Sequence, residues 1–163
     1  MSDIQKAIGL DSYVQIKKYI KDGGDFNQII ENEDNENDEC LMFYAIHKKC
    51  SFDTLKFMVE NGFDIDFTDR DGVSIFDEAI VLGDMDFIKY LLIEKKIDAN
   101  HTKRKSGLTP IIQAACYGNI NLIKLLVSHG ADVNIKDAFN LSAADYARKL
   151  QRKKMQKFLE EEL

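Results

Sequence analysis

Residues 107 to 134 read GLTPIIQAACYGNINLIKLLVSHGADVN, and weaker copies of this stretch stand on both sides at a spacing near 34 residues. Alanine keeps the beat. Ala45, Ala79, Ala114 and Ala147 are separated by 34, 35 and 33 residues, and Ala7 opens an earlier copy 38 residues before Ala45. A period of that length marks a stacked repeat array. Between each alanine and the end of its copy lies a second apolar set at helical spacing. The sets are Val14, Ile16, Tyr19 and Ile20; Leu55, Phe57 and Met58; Phe87, Ile88, Leu91 and Leu92; and Leu122, Ile123, Leu125 and Leu126. Each unit is therefore predicted to hold two short helices, the first narrow at its alanine and the second supplying bulk. One such pair cannot bury its own apolar face, so neighbours must stack and share stability.

The turns carry their own chemistry. Gly83 and Gly118 fall between the two helices, where a residue able to take positive φ allows a sharp reversal, and Gly62 and Gly130 end the second helices. Thr109 before Pro110 reads as a helix N-cap that satisfies an orphan amide, and Ser74 and Ser142 occupy the equivalent caps. The run Thr109, Pro110, Ile111, Ile112, Gln113, Ala114 resembles the ankyrin signature T-P-L-H-x-A. The resemblance covers nearly the whole chain, since units close on turns such as Gly130-Ala131-Asp132-Val133-Asn134.

That resemblance implies an all-α fold, an ankyrin-repeat solenoid of stacked helix-turn-helix units with short hairpin-like turns. It is expected as one domain over 1–163, with repeats near 1–29, 38–70, 71–103, 104–137 and 138–163 and an acidic insertion loop at 30–39. The family's signature histidine is replaced by Phe43, Asp77, Ile112 and Asp145, so its side-chain network is missing or rebuilt. The second repeat reads as carrying an extra residue in His47-Lys48-Lys49, which sets Cys50 in the place of the turn glycine. The third has Lys95 and Lys96 instead of a glycine stop, and a less regular turn is expected there. Ile4, Ala7 and Ile8 point inward in the first unit, and Met155, Phe158 and Leu159 give the last helix one apolar stripe; both ends read as closed, as in a complete protein.

Composition excludes several classes. The chain has 163 residues, 45% hydrophobic and 31% charged, with one proline and no tryptophan. No basic leader with an apolar run and no stretch near ~18 apolar residues is present, so neither secretion nor a membrane partner is expected. Cys40, Cys50 and Cys116 make no even framework, which favours free thiols and a cytoplasmic location. The net charge of −6 argues against a nucleic-acid partner; Lys103, Arg104 and Lys105 crowd one turn, and the bases of the last helices are offset by Glu160, Glu161 and Glu162. His47, His101 and His129 fall at different points of different repeats, so no catalytic constellation is expected. Cys40, His47 and Cys50 are the only soft-ligand trio close in sequence and form a weak metal candidate, each with a structural reason for its place. No cofactor is expected.

In proteins similar to this one, partners meet the fingertip turns and the concave faces of the first helices. Carried onto this chain, those places hold His47 and Lys48; Arg70, Asp71 and Val73; Val81 and Leu82; Lys105 and Leu108; Cys116 and Tyr117; Ala138, Phe139 and Leu141. Val81, Leu82, Leu108, Tyr117, Phe139 and Leu141 form an apolar set with a charged rim, and Tyr117 and Phe139 are its anchors. The expected function is a non-catalytic module, a monomer, binding another protein as regulator, scaffold or inhibitor. A second class left open is a small carrier or assembly helper for a cofactor or metal used by a partner enzyme.

Overall fold

Where the helices begin is written in their first residues. Ser2, Ser74 and Ser142 each precede a helix and accept a bond from the backbone N–H three residues on. The side chain at that third position, Gln5, Asp77 or Asp145, accepts in return from the serine N–H. Such a reciprocal box satisfies two donors that a helix start leaves open. Asp84 and Asn119 cap second helices by accepting from Phe87 and Leu122.

A computed structural model describes residues 1–30 and 39–163, so the acidic insertion expected at 30–39 lies, for 31–38, outside the described residues. Its two stems meet: Ile29 and Cys40 form an antiparallel bridge, and the Ile30 N–H donates to the Glu39 carbonyl at 2.8 Å. The chain divides into two compact units, Met1–Arg70 and Asp71–Leu163. The first holds α1 (Asp3–Gly9), α2 (Tyr13–Lys21), α3 (Leu41–His47) and α4 (Phe52–Glu60). The second holds α5 (Ile75–Leu82), α6 (Met85–Ile93), α7 (Pro110–Tyr117), α8 (Ile120–Ser128), α9 (Ala143–Lys149) and α10 (Lys153–Glu161). The fold class is all-α, built of helix pairs: α1 packs on α3 in the first unit, and α5 on α7 and α7 on α9 in the second.

The repeating alanines are what lets these first helices approach. Ala45, Ala79, Ala114 and Ala147 are fully buried and Ala7 nearly so. Second helices supply the bulk, with Ile16, Leu55 and Met58 buried in the first unit and Phe87, Ile88, Leu91, Leu122, Ile123 and Leu126 in the second. Val14, read as part of this set, is instead 78% exposed. It stands two residues from Ile16, about 200° round the helix, so it faces water when Ile16 faces the core.

Four residues after each alanine the backbone turns left-handed: Asp11 (φ 49°), Lys49 (57°), Gly83 (70°), Gly118 (74°) and Gln151 (54°). This corrects the reading of the second repeat. It has no extra residue, and Lys49 takes the glycine's place, not Cys50. The third repeat likewise keeps its stop, because Lys96 takes φ 55° where Gly23, Gly62 and Gly130 take 90°, 110° and 89°. Asparagines then stitch successive closing turns together. Asn27 Nδ2 donates to the Gly62 carbonyl at 2.9 Å while its Oδ1 accepts from the Asp64 N–H at 2.7 Å. Asn100 does the same to Gly130 and Asp132, both at 2.8 Å.

The caps depart from expectation in one place. Thr109 stands at the N-cap of α7 with Pro110 at the first helical position, but its side chain caps nothing and its hydroxyl is buried without a partner. Ile112 fills the position where Asp77 and Asp145 answer their serines, so no polar group is there to meet the threonine.

Candidate functional site

Three loops of the second unit end in tips that precede the first helices, and they are joined backbone to backbone. The Lys105 N–H donates to the Asp71 carbonyl at 3.4 Å, and the Ala138 N–H donates to the Ser106 carbonyl at 2.9 Å. This closeness dictates Gly72, whose φ is 79° and where an added Cβ would collide with the backbone of Lys103. Val73, Leu108 and Leu141 each stand one residue before an N-cap, half-buried, so the three form a row across these fingers.

The last finger is the most firmly held. Asp137 Oδ1 accepts from the N–H groups of Phe139 at 2.9 Å and Leu141 at 3.0 Å, while Oδ2 accepts from the Tyr146 hydroxyl at 2.6 Å. Burial pushes the Asp137 carboxyl up, yet these bonds and the charge of Lys149 together hold it below the usual aspartate value. Its hydrogen bond in turn pushes the Tyr146 phenol up to about 12. The consequence is a stiff loop that carries Phe139 at its tip, 71% exposed. A large ring held in water by a fixed backbone is preorganised for contact.

Beneath the fingers lies a buried polar group. Arg104, one of the three bases that crowd one turn in the sequence, folds back so that its Nε stands 3.3 Å from Asp77 Oδ1, with the side chains 18% and 3% exposed. The two charges attract at that distance but lack hydrogen-bond alignment. Gln113 Nε2 donates to the Asp77 carbonyl at 3.3 Å, while Gln113 Oε1 is buried without a partner. Burial dominates the carboxyl of Asp77 and pushes it above the usual value, against the pull of Ser74 and Arg104. Sequence reasoning missed this pair; the available signal was an aspartate at the histidine position followed by an arginine in the next finger.

None of the fourteen residues assigned to partner contact is buried. The eleven of them in the second unit do not, however, form one patch. Asp71, Val73, Lys105, Leu108, Ala138, Phe139 and Leu141 gather at the finger end, where helices start. Val81, Leu82, Cys116 and Tyr117 lie where α5 and α7 stop, roughly 10 Å away along α7. Tyr117 and Phe139 are thus anchors of different edges. His47, Lys48 and Arg70 belong to the first unit and are exposed.

The soft-ligand trio is not brought together either. Cys40 is buried at the N-cap of α3, its thiol pushed up to about 11 by burial. Cys50 donates from Sγ to the Ile8 carbonyl at 3.2 Å and is pushed by burial to about 12. His47 is exposed, with Nδ1 2.7 Å from a Glu39 oxygen. The described residues contain no group of three or more side chains placed to hold a metal.

Comparison with known proteins agrees with the geometry. The family model of ankyrin repeats, three copies, matches residues 42–137 and 82–162. Alpha-latrocrustotoxin-Lt1a of Latrodectus tredecimguttatus is 37% identical over 93 residues, 57% of this chain and 6% of the toxin. Palmitoyltransferase AKR1 of Lachancea kluyveri is 31% identical over 122 residues, 71% of this chain and 16% of that protein. The ankyrin repeat and SAM domain-containing protein 6 of Rattus norvegicus is 31% identical over 81 residues, 50% of this chain and 9% of its relative. The chain therefore spans less than a fifth of the length of each.

Proposed function

The chain belongs to the ankyrin repeat family, and from that premise we propose that it is a non-catalytic module that binds another protein through the finger end of its second unit. Repeats of this family generally mediate protein–protein interaction. The observation that carries the reading is Phe139, an exposed ring on a loop that Asp137 and Tyr146 fix in place. Around it Val73, Leu108 and Leu141 supply apolar surface, with Ala138 beside the ring and Asp71 and Lys105 as a charged rim paired at 3.7 Å. An aromatic anchor in a partly apolar, charge-rimmed surface is the composition of an interaction hot spot. His47, Lys48 and Arg70 are proposed as a polar contact of the first unit.

The three cysteines are free thiols, two of them buried, which supports a reducing compartment such as the cytoplasm. Among the described residues no helix is long and apolar enough to cross a membrane. The module acts as a monomer, which light scattering of the purified protein checks. The central test is affinity capture from the source organism with the wild type beside Phe139→Ala. The expected result is one stoichiometric protein, lost with the variant while its helical circular dichroism is unchanged. Equal capture by both proteins would remove Phe139 and the finger end from the reading.

A further inference from the structure

The other edge of the second unit has a regularity of its own. In each of its three repeats the residue before the left-handed turn is large, apolar and exposed: Leu82 at 39%, Tyr117 at 51% and Leu150 at 50%. They close α5, α7 and α9, which pack in series, so they recur once per stacked helix, about 8–10 Å apart. Three basic residues beside Leu150 lack a close ionic partner, although Lys149 acts at longer range on the Asp137 carboxyl. Lys149, Arg152 and Lys153 take part in no ion pair among the described residues, whereas Glu160 is engaged by Arg148 at 2.8 Å and Glu161 by Lys157 at 3.9 Å. The Arg152 guanidinium lies over Gly118, its Nη1 2.9 Å from where a Cβ would stand, and so beside Tyr117. Arg152 is also the N-cap of α10 but gives no side-chain capping bond, and Lys153 and Lys154 open that helix where acids are usual.

From this juxtaposition we infer that the Leu82, Tyr117 and Leu150 edge docks an acidic amphipathic helix of a partner protein, a surface distinct from the finger end though resting on the same binding-module reading. A helix returns the same side every seven residues, about 10.5 Å, close to the upper end of the spacing of the three apolar side chains. A strand returns its face every ~6.8 Å and falls out of step. A polyproline segment returns at ~9.3 Å but docks in aromatic-lined grooves, and here one ring lies between two leucines. Acidic residues on the partner belong at the end over Lys149, Arg152 and Lys153, where opposite charge meets unpaired cations.

The probe is a fluorescent synthetic peptide of three heptads with leucine at the first and fourth positions and glutamates in its last heptad. Its controls are the same peptide with lysines and a scrambled sequence. The expected result is saturable binding of the glutamate peptide with a gain of helix by circular dichroism. Tyr117→Ala weakens it about tenfold. Reversal of Lys149, Arg152 and Lys153 to Glu weakens it about tenfold and turns the preference to the lysine peptide. Phe139→Ala leaves the titration unchanged. No binding, equal binding of the scrambled or lysine peptide, or a bound peptide without helix would overturn the inference. Loss on Phe139→Ala alone would also overturn it and assign the peptide to the finger end, leaving the binding-module reading intact.

Discussion

The starts of α5 and α9 are built from the same parts and behave oppositely. At α5, Asp77 Oδ2 accepts from the Ser74 N–H at 2.8 Å and hydroxyl at 2.7 Å; at α9, Asp145 Oδ2 accepts from the Ser142 N–H at 2.9 Å and hydroxyl at 2.8 Å. The geometry is the same to about the length of a bond vibration, yet burial pushes the carboxyl of Asp77 up while the Ser142 bonds hold that of Asp145 down. The Asp77 side chain is 3% exposed and that of Asp145 is 31% exposed. A local motif therefore sets the hydrogen bonds, and the depth of the repeat in the stack sets the charge energetics.

The sharpest way to break this comparison is to remove each aspartate. Asp77→Ala takes away a cap and leaves Arg104 without its partner in a largely buried place, so a loss of about 3 kcal/mol is expected from urea unfolding. Asp145→Ala removes a cap from a partly solvated end, and about 1 kcal/mol is expected. Equal losses would mean that the Arg104 pair contributes nothing.

The two carboxyls also predict opposite responses to acid. Asp77 holds its proton more tightly in the native state than at the unfolded value of 3.8, so its charge burden is present at neutral pH and is relieved as pH falls through its raised native value. Asp145 contributes stability that is present above 3.8 and lost as pH falls through its lowered native value. Carboxyl NMR should place the Asp77 midpoint above 3.8 and the Asp145 midpoint below it. In unfolding, the wild type should lose its advantage over Asp145→Asn below about pH 4 and gain on Asp77→Asn as pH approaches 4.

Much of this was legible in the sequence, and the misses have physical reasons. Period, helix pairs and serine caps are local patterns, and they could be read from Ser74, Ser142 and the alanines alone. The aspartates were read only as a lost histidine, although a serine followed three residues later by an acid carries the capping signal. Arg104 could not be placed, because its burial depends on a finger folding back onto a helix 27 residues earlier. The apolar set was read as one patch since repeat register says which residues share a position, and nothing about the ~10 Å between the two ends of α7.

Between α5 and α9 lies α7, where the same position is apolar, and it sharpens the comparison at lower cost. The Thr109 hydroxyl is buried with no partner, so Thr109→Val, which keeps the shape, is expected to be neutral or to stabilise by up to about 1 kcal/mol. The same change at a capping serine should destabilise. If Thr109→Val costs as much as Ser74→Val, the threonine has a bond that the geometry does not show.

The smallest effect belongs to the turns that follow these helices. Gly83 and Gly118 take the left-handed conformation without a Cβ clash, whereas Lys49 and Gln151 take it with one. Asp11 offsets its own strain by accepting from the Ser51 N–H at 3.0 Å. Lys49→Gly and Gln151→Gly exchange strain in the folded chain for entropy in the unfolded one, and a net gain of about 0.5 kcal/mol each is expected from thermal unfolding. Asp11→Gly loses a bond along with the strain and should gain nothing. A gain at Asp11 equal to that at Lys49 would show that backbone strain alone decides these turns.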